Sequence, residues 1–490
     1  MFTVILKLDK THLKPMSWYL LALICLSACS PSDTGSEAEI VSNDTYDLVI
    51  NNGRVIDPET QLDEIRSIGI KRGEIIEISL TALEGTRIID ANGLVVSPGF
   101  IDLHAHGQSK ESNRFQVHDG VTTALELELG TPVLERWLNS KKGGGIINYG
   151  ASVSHLYART AASSSFVNRT SPNEALEPEQ IIEMGEIIDE ELNAGGIGIG
   201  LAIGYVPGAS SEEIYQVFEK GAEESVPVFV HLRNPDISSI EEVIDYARMT
   251  GSSLHIMHIN SMALGEIDLA LDLIEQAKNS GLDITTEMYP YTAGSTFIET
   301  AIFDDGWQER FNISYEDLQW QDTGERLTEQ SFNEYRQLGG AVILHMMREE
   351  WLEKSLVDEN TLIASDGMQY APGAHPRSAG TFSRVLGKYV REQNILTLNE
   401  ALRKMTLMPA QRLESIVPLA AKKGRIQVGM DADITIFNPK TILDQATFEE
   451  GLKYSIGVEF VIVNGVLVVD GGETVENVFP GEPLLGLYLE

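Results

Sequence analysis

Cysteine and basic residues are both scarce in this chain of 490 residues. The two cysteines, Cys25 and Cys29, lie within the first thirty residues, so a disulfide framework is excluded for the rest of the chain. Lys and Arg number 36 against 73 Asp and Glu, which gives a formal net charge of −37. Nucleic acid binding needs clustered positive charge, and this acid excess argues against it. Apolar residues make up 43% of the chain, enough for a large buried core.

The first thirty residues have the pattern of an export signal. A basic segment precedes an apolar core at 18–26, which is too short to cross a membrane. The Leu-Ser-Ala-Cys sequence at 26–29 resembles a bacterial lipobox, which implies cleavage before Cys29 and lipid on its thiol. We therefore expect a signal peptide at 1–28, a polar tether at 29–45, and a mature chain anchored in the bacterial envelope, at the periplasmic face of the outer membrane.

The middle of the chain alternates short apolar runs with helical patterns, as βα units do. Eight parallel strands enclosed by helices form a (β/α)8 barrel, and 98–415 is long enough for one with insertions. We therefore predict an α/β protein with a TIM-like barrel, and the segment 304–336 is an insertion that the pattern does not place. The eight runs are 99–104, 121–128, 146–153, 197–203, 228–232, 254–259, 283–288 and 362–366.

The two ends of the chain share a different sequence pattern. Short strands separated by turns occupy 46–97, and similar strands recur in 416–480. Both ends therefore predict one small β-sandwich domain, built from the two termini and flanking the barrel.

Polar residues that end the barrel strands are the candidates for function, because barrel sites lie at the carboxyl ends of the strands. His-x-His on a strand directs both imidazoles to one side, where they can reach a single cation. Buried imidazoles and carboxylates are costly unless they are paired or bind metal. The predicted metal ligands at these strand ends are His104, His106, His231, His258 and Asp366. His255 faces the opposite side from His258 and is interpreted as a packed core residue.

The second run adds two acids, Glu126 and Glu128, that alternation places on one face. Two inward carboxylates repel each other unless a cation or a proton separates them. One of them is therefore a candidate to bridge two metals. Glu128 is the predicted ligand because it is nearer the barrel mouth, and Glu126 is the alternative.

Together these motifs resemble the amidohydrolase superfamily, in particular its N-acyl-D-amino-acid deacylase branch, over about 46–472. The His-Ala-His sequence at 104–106 and Asp366 in Ser-Asp-Gly match the metal-ligand strands of the superfamily. The segments 287–296, 375–382 and 423–433 resemble the deacylase branch. The segments 124–130 and 405–412 are most similar to D-glutamate deacylases.

Three departures from the family pattern bear on the site. Many of these deacylases have a cysteine ligand after the second strand, whereas here a glutamate must serve, which makes a harder site of N and O donors. Related ring-opening hydrolases use a carboxylated lysine on the fourth strand, and 197–205 contains none. Asn260 stands where the branch often has a lysine, which leaves the preferred amino acid open.

The resemblance implies zinc-dependent hydrolysis of an N-acyl-D-amino acid, with N-acyl-D-glutamate as one candidate, to a carboxylate and a free D-amino acid. Zinc lowers the pKa of its bound water to about 7, which supplies the attacking hydroxide. Asp366 would act as general base and then as general acid. Arg377 is the first candidate to bind the substrate carboxylate and Arg233 the second, and Tyr289 and Tyr205 are candidate donors to the substrate.

Two other functions fit the same residues. One is hydrolysis of a cyclic amide, a cyclic imide or a dipeptide at the same metal site. The other is a surface-anchored binding protein that keeps the fold without the activity. The sequence does not decide between one and two metal ions per chain, or between a monomer and a homo-oligomer.

Overall fold

The structure is a computed structural model that describes residues 45–163, 171–368 and 370–487. The predicted signal peptide and Cys29 lie outside the described residues. Within the described part of the chain, none of the helices is long and apolar enough to cross a membrane.

Eight parallel strands form the barrel and follow one another around it in chain order. Each overlaps one of the predicted runs, which confirms the predicted fold class. A backbone bridge between Ala105 and Gly367 joins the first strand to the eighth. The strands are Phe100–Asp102, Val121–Thr131, Asn148–Ser154, Ile199–Ala202, Val228–His231, Leu254–Ile256, Ile284–Met288 and Thr361–Ile363.

Helices follow the strands and pack on their outer faces. Ile237–Thr250 shows how the sequence sets the limits of such a helix. The Asp236 side chain accepts a hydrogen bond from the Ser239 amide at its start, and Gly251 ends it with a φ of 78°. Its buried face, which includes Ile240, Val243 and Ala247, belongs to the main core.

The other helices of the barrel layer have the following bounds. They are Lys110–His118, Leu134–Lys141, His155–Ser163, Pro178–Asn193, Ser211–Glu223, Ile259–Ala263, Ile267–Asn279, Glu349–Val357, Arg377–Arg384, Leu398–Met405 and Leu407–Leu413, with a π-helical segment at Val385–Glu392. Single 3₁₀ turns occupy Ile203–Tyr205, Leu264–Glu266 and Pro418–Lys422.

A second sheet combines strands from both ends of the described chain, as the sequence predicts. Val95–Pro98 from the N-terminal part pairs antiparallel with Ile434–Phe437 from the C-terminal part. The order across the sheet is Glu473–Thr474, Val466–Asp470, Val458–Val463, Ile434–Phe437, Val95–Pro98, Tyr46–Asp57, Leu62–Lys71 and Glu74–Ser79, with Gly85–Asp90 paired to Tyr46–Asp57. The residue limits assigned to the two domains stay a prediction.

The insertion that the sequence did not place is a small subdomain between the seventh and eighth barrel strands. Its three antiparallel strands are Gly294–Phe297, Leu318–Trp320 and Ala341–Leu344. Short helices at Trp307–Phe311 and Glu329–Leu338 and 3₁₀ turns at Ala301–Phe303 and Tyr315–Asp317 complete it. It has its own buried apolar cluster, in which the Trp307 and Phe332 rings stack with centroids 5.2 Å apart.

Candidate metal centre

The Glu128 carboxylate lies at the centre of the predicted ligands, at the carboxyl ends of the barrel strands. Its Oε1 is 2.8 Å from His231 Nδ1 and 2.8 Å from His258 Nε2. Its Oε2 is 3.4 Å from the Nε2 atoms of both His104 and His106. One carboxylate therefore faces all four imidazoles, a position suited to a ligand that bridges two cations.

Asp366 lies on the side of the His104–His106 pair. Its Oδ1 is 3.4 Å from each of their Nε2 atoms, and those two nitrogens are 3.1 Å apart. Donor atoms of His104, His106 and Asp366 lie within 4.8 Å of one another, and the same holds for His104, Glu128 and His258. The structure thus brings all six predicted ligands into one cluster with two adjoining donor sets.

Glu126 occupies a different position from Glu128. Its Oε2 accepts from Nδ1 of His106 at 2.7 Å, on the side of the ring away from the cluster. The strand register shifts after Glu126, so the regular alternation that equates the two acids does not continue to the strand end. Glu128 is therefore placed to bind a metal, and Glu126 to orient His106.

Similar outer contacts hold two of the other imidazoles. Nδ1 of His104 lies 2.6 Å from Glu287, and Nδ1 of His258 lies 3.1 Å from the Ser261 hydroxyl. The second oxygen of Glu287 is 3.2 Å from His255, a buried residue that also bonds Thr285, in line with its interpretation as a core residue. Such contacts on the far ring nitrogen fix the orientation of a metal-binding imidazole and raise its basicity.

The electrostatics of the cluster favour a bound cation. Burial opposes a charge on His104, but the neighbouring carboxylates of Asp366, Glu128 and Glu287 outweigh it and raise the pKa of that imidazole. Burial likewise opposes ionisation of Glu287, yet His104 and His255 lower its pKa to about 2. Several buried carboxylates therefore lie beside the same imidazoles. This set of N and O donors fits a divalent metal such as zinc.

Two residues of the cluster have a strained backbone. His258 has a φ of 31° and Asp366 a φ of 50°, both in the left-handed region that side chains disfavour. Such conformations cost about 1–3 kcal/mol each and cluster at functional sites. Here they turn both side chains into the barrel mouth directly after their strands.

Three of the four candidate substrate contacts line the cavity above the cluster. Arg377 Nη1 forms an ion pair with Asp366 Oδ2 at 2.9 Å, and its guanidinium lies 4.5 Å from the centre of the Tyr289 ring. Burial raises the pKa of Tyr289 to about 12, so its phenol stays a donor at neutral pH. The Tyr205 hydroxyl is 2.9 Å from Thr296, at the edge of the inserted subdomain.

Arg233 lies apart from the other three. Its guanidinium pairs with both oxygens of Glu242, at 3.2 and 2.9 Å, and donates to the carbonyls of Pro207 and Ala209. It lines a neighbouring cavity instead of the one above the cluster. The structure therefore does not bring Arg233 to the cluster.

Glu287 contacts His104 and Ser261 contacts His258, but the sequence patterns did not predict a role for either residue. Glu287 lies within the buried strand Ile284–Met288, and an acid in such a strand is itself a signal, because a buried carboxylate requires a partner. Ser261 has no comparable signal, since a serine at the start of a helix commonly bonds the backbone.

Comparison with known proteins agrees with the fold. Residues 246–469 match the amidohydrolase family model Amidohydro_3. The N-acyl-D-glutamate deacylase and the D-aminoacylase of Alcaligenes xylosoxydans xylosoxydans are each 28% identical, over 86% of this chain and 93% and 94% of their own lengths. A crystal structure of N-acyl-D-glutamate deacylase from Bordetella bronchiseptica, complexed with zinc and a phosphonate inhibitor, matches with a TM-score of 0.80 and 26% identity, over 90% of this chain and all of that one.

The barrel, the cluster of possible ligands and these matches indicate a metal-dependent hydrolase that is similar to the amidohydrolases. Over most of its length the chain is similar to D-aminoacylase and N-acyl-D-glutamate deacylase.

Proposed function

We propose that this chain hydrolyses the amide bond of N-acyl-D-amino acids, releasing a carboxylate and a free D-amino acid. The observation that carries the proposal is the position of Glu128, whose two oxygens face four imidazoles beside Asp366. The similarity of the chain to two deacylases over most of its length supports the choice of substrate.

The proposed ligands are His104, His106, Glu128, His231, His258 and Asp366, and the proposed metal is zinc, as one or two ions per chain. Zinc in such a site lowers the pKa of water and polarises a carbonyl. Glu287 and Glu126 orient His104 and His106, so that these imidazoles present their Nε2 atoms to the cluster.

Asp366 is the proposed general base and acid. Its carboxylate lines the substrate cavity and also faces the His104–His106 pair, so it can reach both the attacking water and the scissile bond. It accepts the proton of the water and returns it to the departing amide nitrogen. Arg377, next to Asp366, binds the carboxylate of the amino acid, while Tyr289 and Tyr205 donate to the substrate.

Hydrolysis of a cyclic amide or imide is the competing activity. The fourth barrel strand, Ile199–Ala202, and the residues around it carry no lysine that could be carboxylated to bridge two metals. Glu128, whose two oxygens face four imidazoles, would take the place of that lysine if two metals were bound. These two observations favour the deacylase over a ring-opening hydrolase.

We also propose that the enzyme is exported and held in the envelope by a lipid on Cys29. The basic segment, the apolar core and the lipobox-like sequence at 26–29 support this location. Labelling of cells with a radioactive fatty acid tests it: wild type should incorporate label, and Cys29→Ser should not. Equal labelling of the two proteins would contradict the anchor.

A panel of both enantiomers tests the reaction. Purified, zinc-loaded protein should release amino acid from N-acetyl-D-amino acids and not from their L counterparts. Opening of cyclic amides without release from any D compound would instead support the competing activity. No reaction with any member of the panel would support a binding protein without activity.

The Asp366→Asn variant tests the proton transfer within that reaction. Because the amide cannot accept a proton, we expect turnover to fall by roughly 10²–10⁴-fold. Metal content, measured by elemental analysis, should persist because the other five ligands are intact. His231→Ala provides the comparison and should lower the metal content itself. Near-normal turnover in Asp366→Asn would contradict the assigned role.

A further inference from the structure

The cavity above the cluster has an extended apolar wall. Part of the wall comes from the barrel layer, and part comes from the inserted subdomain at 294–344 and the residues just after it. The side chains that form it are Leu129, Leu156, Ile302, Phe311, Leu344 and Met346, here called the apolar wall.

Apart from the proposed metal cluster, basic side chains in the same cavity are limited to one place. Among the described lining residues, Arg377 is the one lysine or arginine. Its Nη1 forms an ion pair with Asp366 and its Nη2 donates to the Ser295 carbonyl, while its buried Nε has no hydrogen-bond partner in the described structure. Arg233 in the adjoining cavity is already bound by Glu242 and by two backbone carbonyls.

These observations limit the substrates that the cavity can bind well. A free amino-acid carboxylate can be bound at Arg377, but a second carboxylate would meet no further lysine or arginine among the described lining residues, only hydroxyls such as Thr296 and Thr300 beside the apolar wall. Burial of a carboxylate without a partner is strongly unfavourable, and the net charge of −37 adds long-range repulsion against a dianion. An apolar group on the wall is favoured instead, and each methylene in such a pocket contributes roughly 10-fold or more to kcat/KM.

We propose that the preferred substrates carry a single carboxylate and one bulky apolar group, and that N-acyl-D-glutamate is a poorer substrate. The inference rests on the deacylase function proposed above. The apolar group is either the acyl chain or the side chain of the amino acid, since both flank the scissile bond.

Two substrate series test the proposal and separate these sources. One series enlarges the side chain with a constant acyl group, from N-acetyl-D-alanine to N-acetyl-D-leucine and N-acetyl-D-phenylalanine. The other enlarges the acyl chain on D-alanine, from acetyl to hexanoyl and octanoyl. We expect kcat/KM to rise along at least one series and to exceed that of N-acetyl-D-glutamate by about 10-fold or more.

The outcomes are distinguishable. If N-acetyl-D-glutamate is hydrolysed as well as the best member of both series, the preference is wrong but the deacylase function stands. If no D compound releases amino acid, the proposed function fails and this inference fails with it.

A charged substitution in the apolar wall provides a second test. Met346 is half-buried in the wall, so Met346→Lys adds a cation where the proposal places the apolar group. The ratio of kcat/KM for N-acetyl-D-leucine and octanoyl-D-alanine to that for N-acetyl-D-glutamate should fall by about 10-fold. Met346→Leu, which keeps the wall apolar, should leave the ratio unchanged.

The matched control is Leu338→Lys, the same kind of change on the outer surface of the inserted subdomain, where Leu338 is 74% exposed and outside the cavity. It should leave the ratio as in wild type. An unchanged ratio in a folded Met346→Lys variant, with folding checked by thermal unfolding, would overturn the proposal.

Discussion

Glu287 illustrates how a single residue can organise the cluster without joining it. One of its oxygens bonds His104 and the other bonds His255, so it is fixed between two buried imidazoles. A carboxylate in this position holds His104 in the orientation and tautomer in which Nε2 is free for metal.

We therefore expect Glu287→Gln to weaken metal binding by roughly 10–100-fold, because the amide holds His104 less strongly and lowers its basicity. Competition between the protein and a chelator of known affinity measures the change. Glu213→Gln is the matched control, since Glu213 is also buried and pairs with His155 in the barrel, away from the cluster. Equal metal affinity in Glu287→Gln and wild type would show that the contact is only structural.

The first barrel helix contacts the terminal sheet through a buried histidine. His118 ends the helix Lys110–His118, its Nε2 lies 2.8 Å from the hydroxyl of Thr474, and its ring stacks on Tyr454 at 3.9 Å. Burial lowers the pKa of this imidazole from 6.5 to about 4, so the folded protein keeps it neutral.

This contact predicts a loss of stability in acid. Above pH 6.5 the imidazole is neutral in both the folded and the unfolded state. As the pH falls from 6.5 towards 4, only the unfolded chain takes up the proton, so the free energy of unfolding decreases. His118→Gln removes the titration but keeps a polar partner for Thr474, so its free energy of unfolding should fall less over this range. Denaturant titrations at several pH values measure both proteins, and parallel curves would contradict the prediction.

Some secondary-structure elements could be predicted from the sequence and others could not. The eight barrel strands were predictable because each is a contiguous apolar run, often ending in a polar residue. The inserted subdomain was not, because its strands have three or four residues and Gly294–Phe297 pairs with a strand more than forty residues further along the chain. Short strands that pair over such distances leave little local pattern.

The same contrast applies to the site. The histidines and acids at strand ends could be predicted to converge, because the carboxyl ends of parallel barrel strands lie at the same rim. The choice between Glu126 and Glu128 depended on a register shift, and the displacement of Arg233 depends on its pairing with Glu242 in the following helix. Both features are tertiary and have no signature in residue spacing.

At the scale of the whole molecule, the barrel provides the rim where the ligands meet, and the insertion provides an apolar wall beside them. The terminal sheet contributes none of the residues proposed to bind metal or substrate. A chain of this composition thus combines a polar, cation-binding centre with an apolar substrate cavity.

Release of amino acid from N-acetyl-D-leucine should depend on metal, and it can be measured on protein stripped of metal and then resupplied with zinc. We expect chelation to abolish release, and one or two zinc equivalents per chain to restore it, in wild type but not in Glu128→Gln. Full activity in protein shown by elemental analysis to contain no metal would mean that the cluster does not act through a metal.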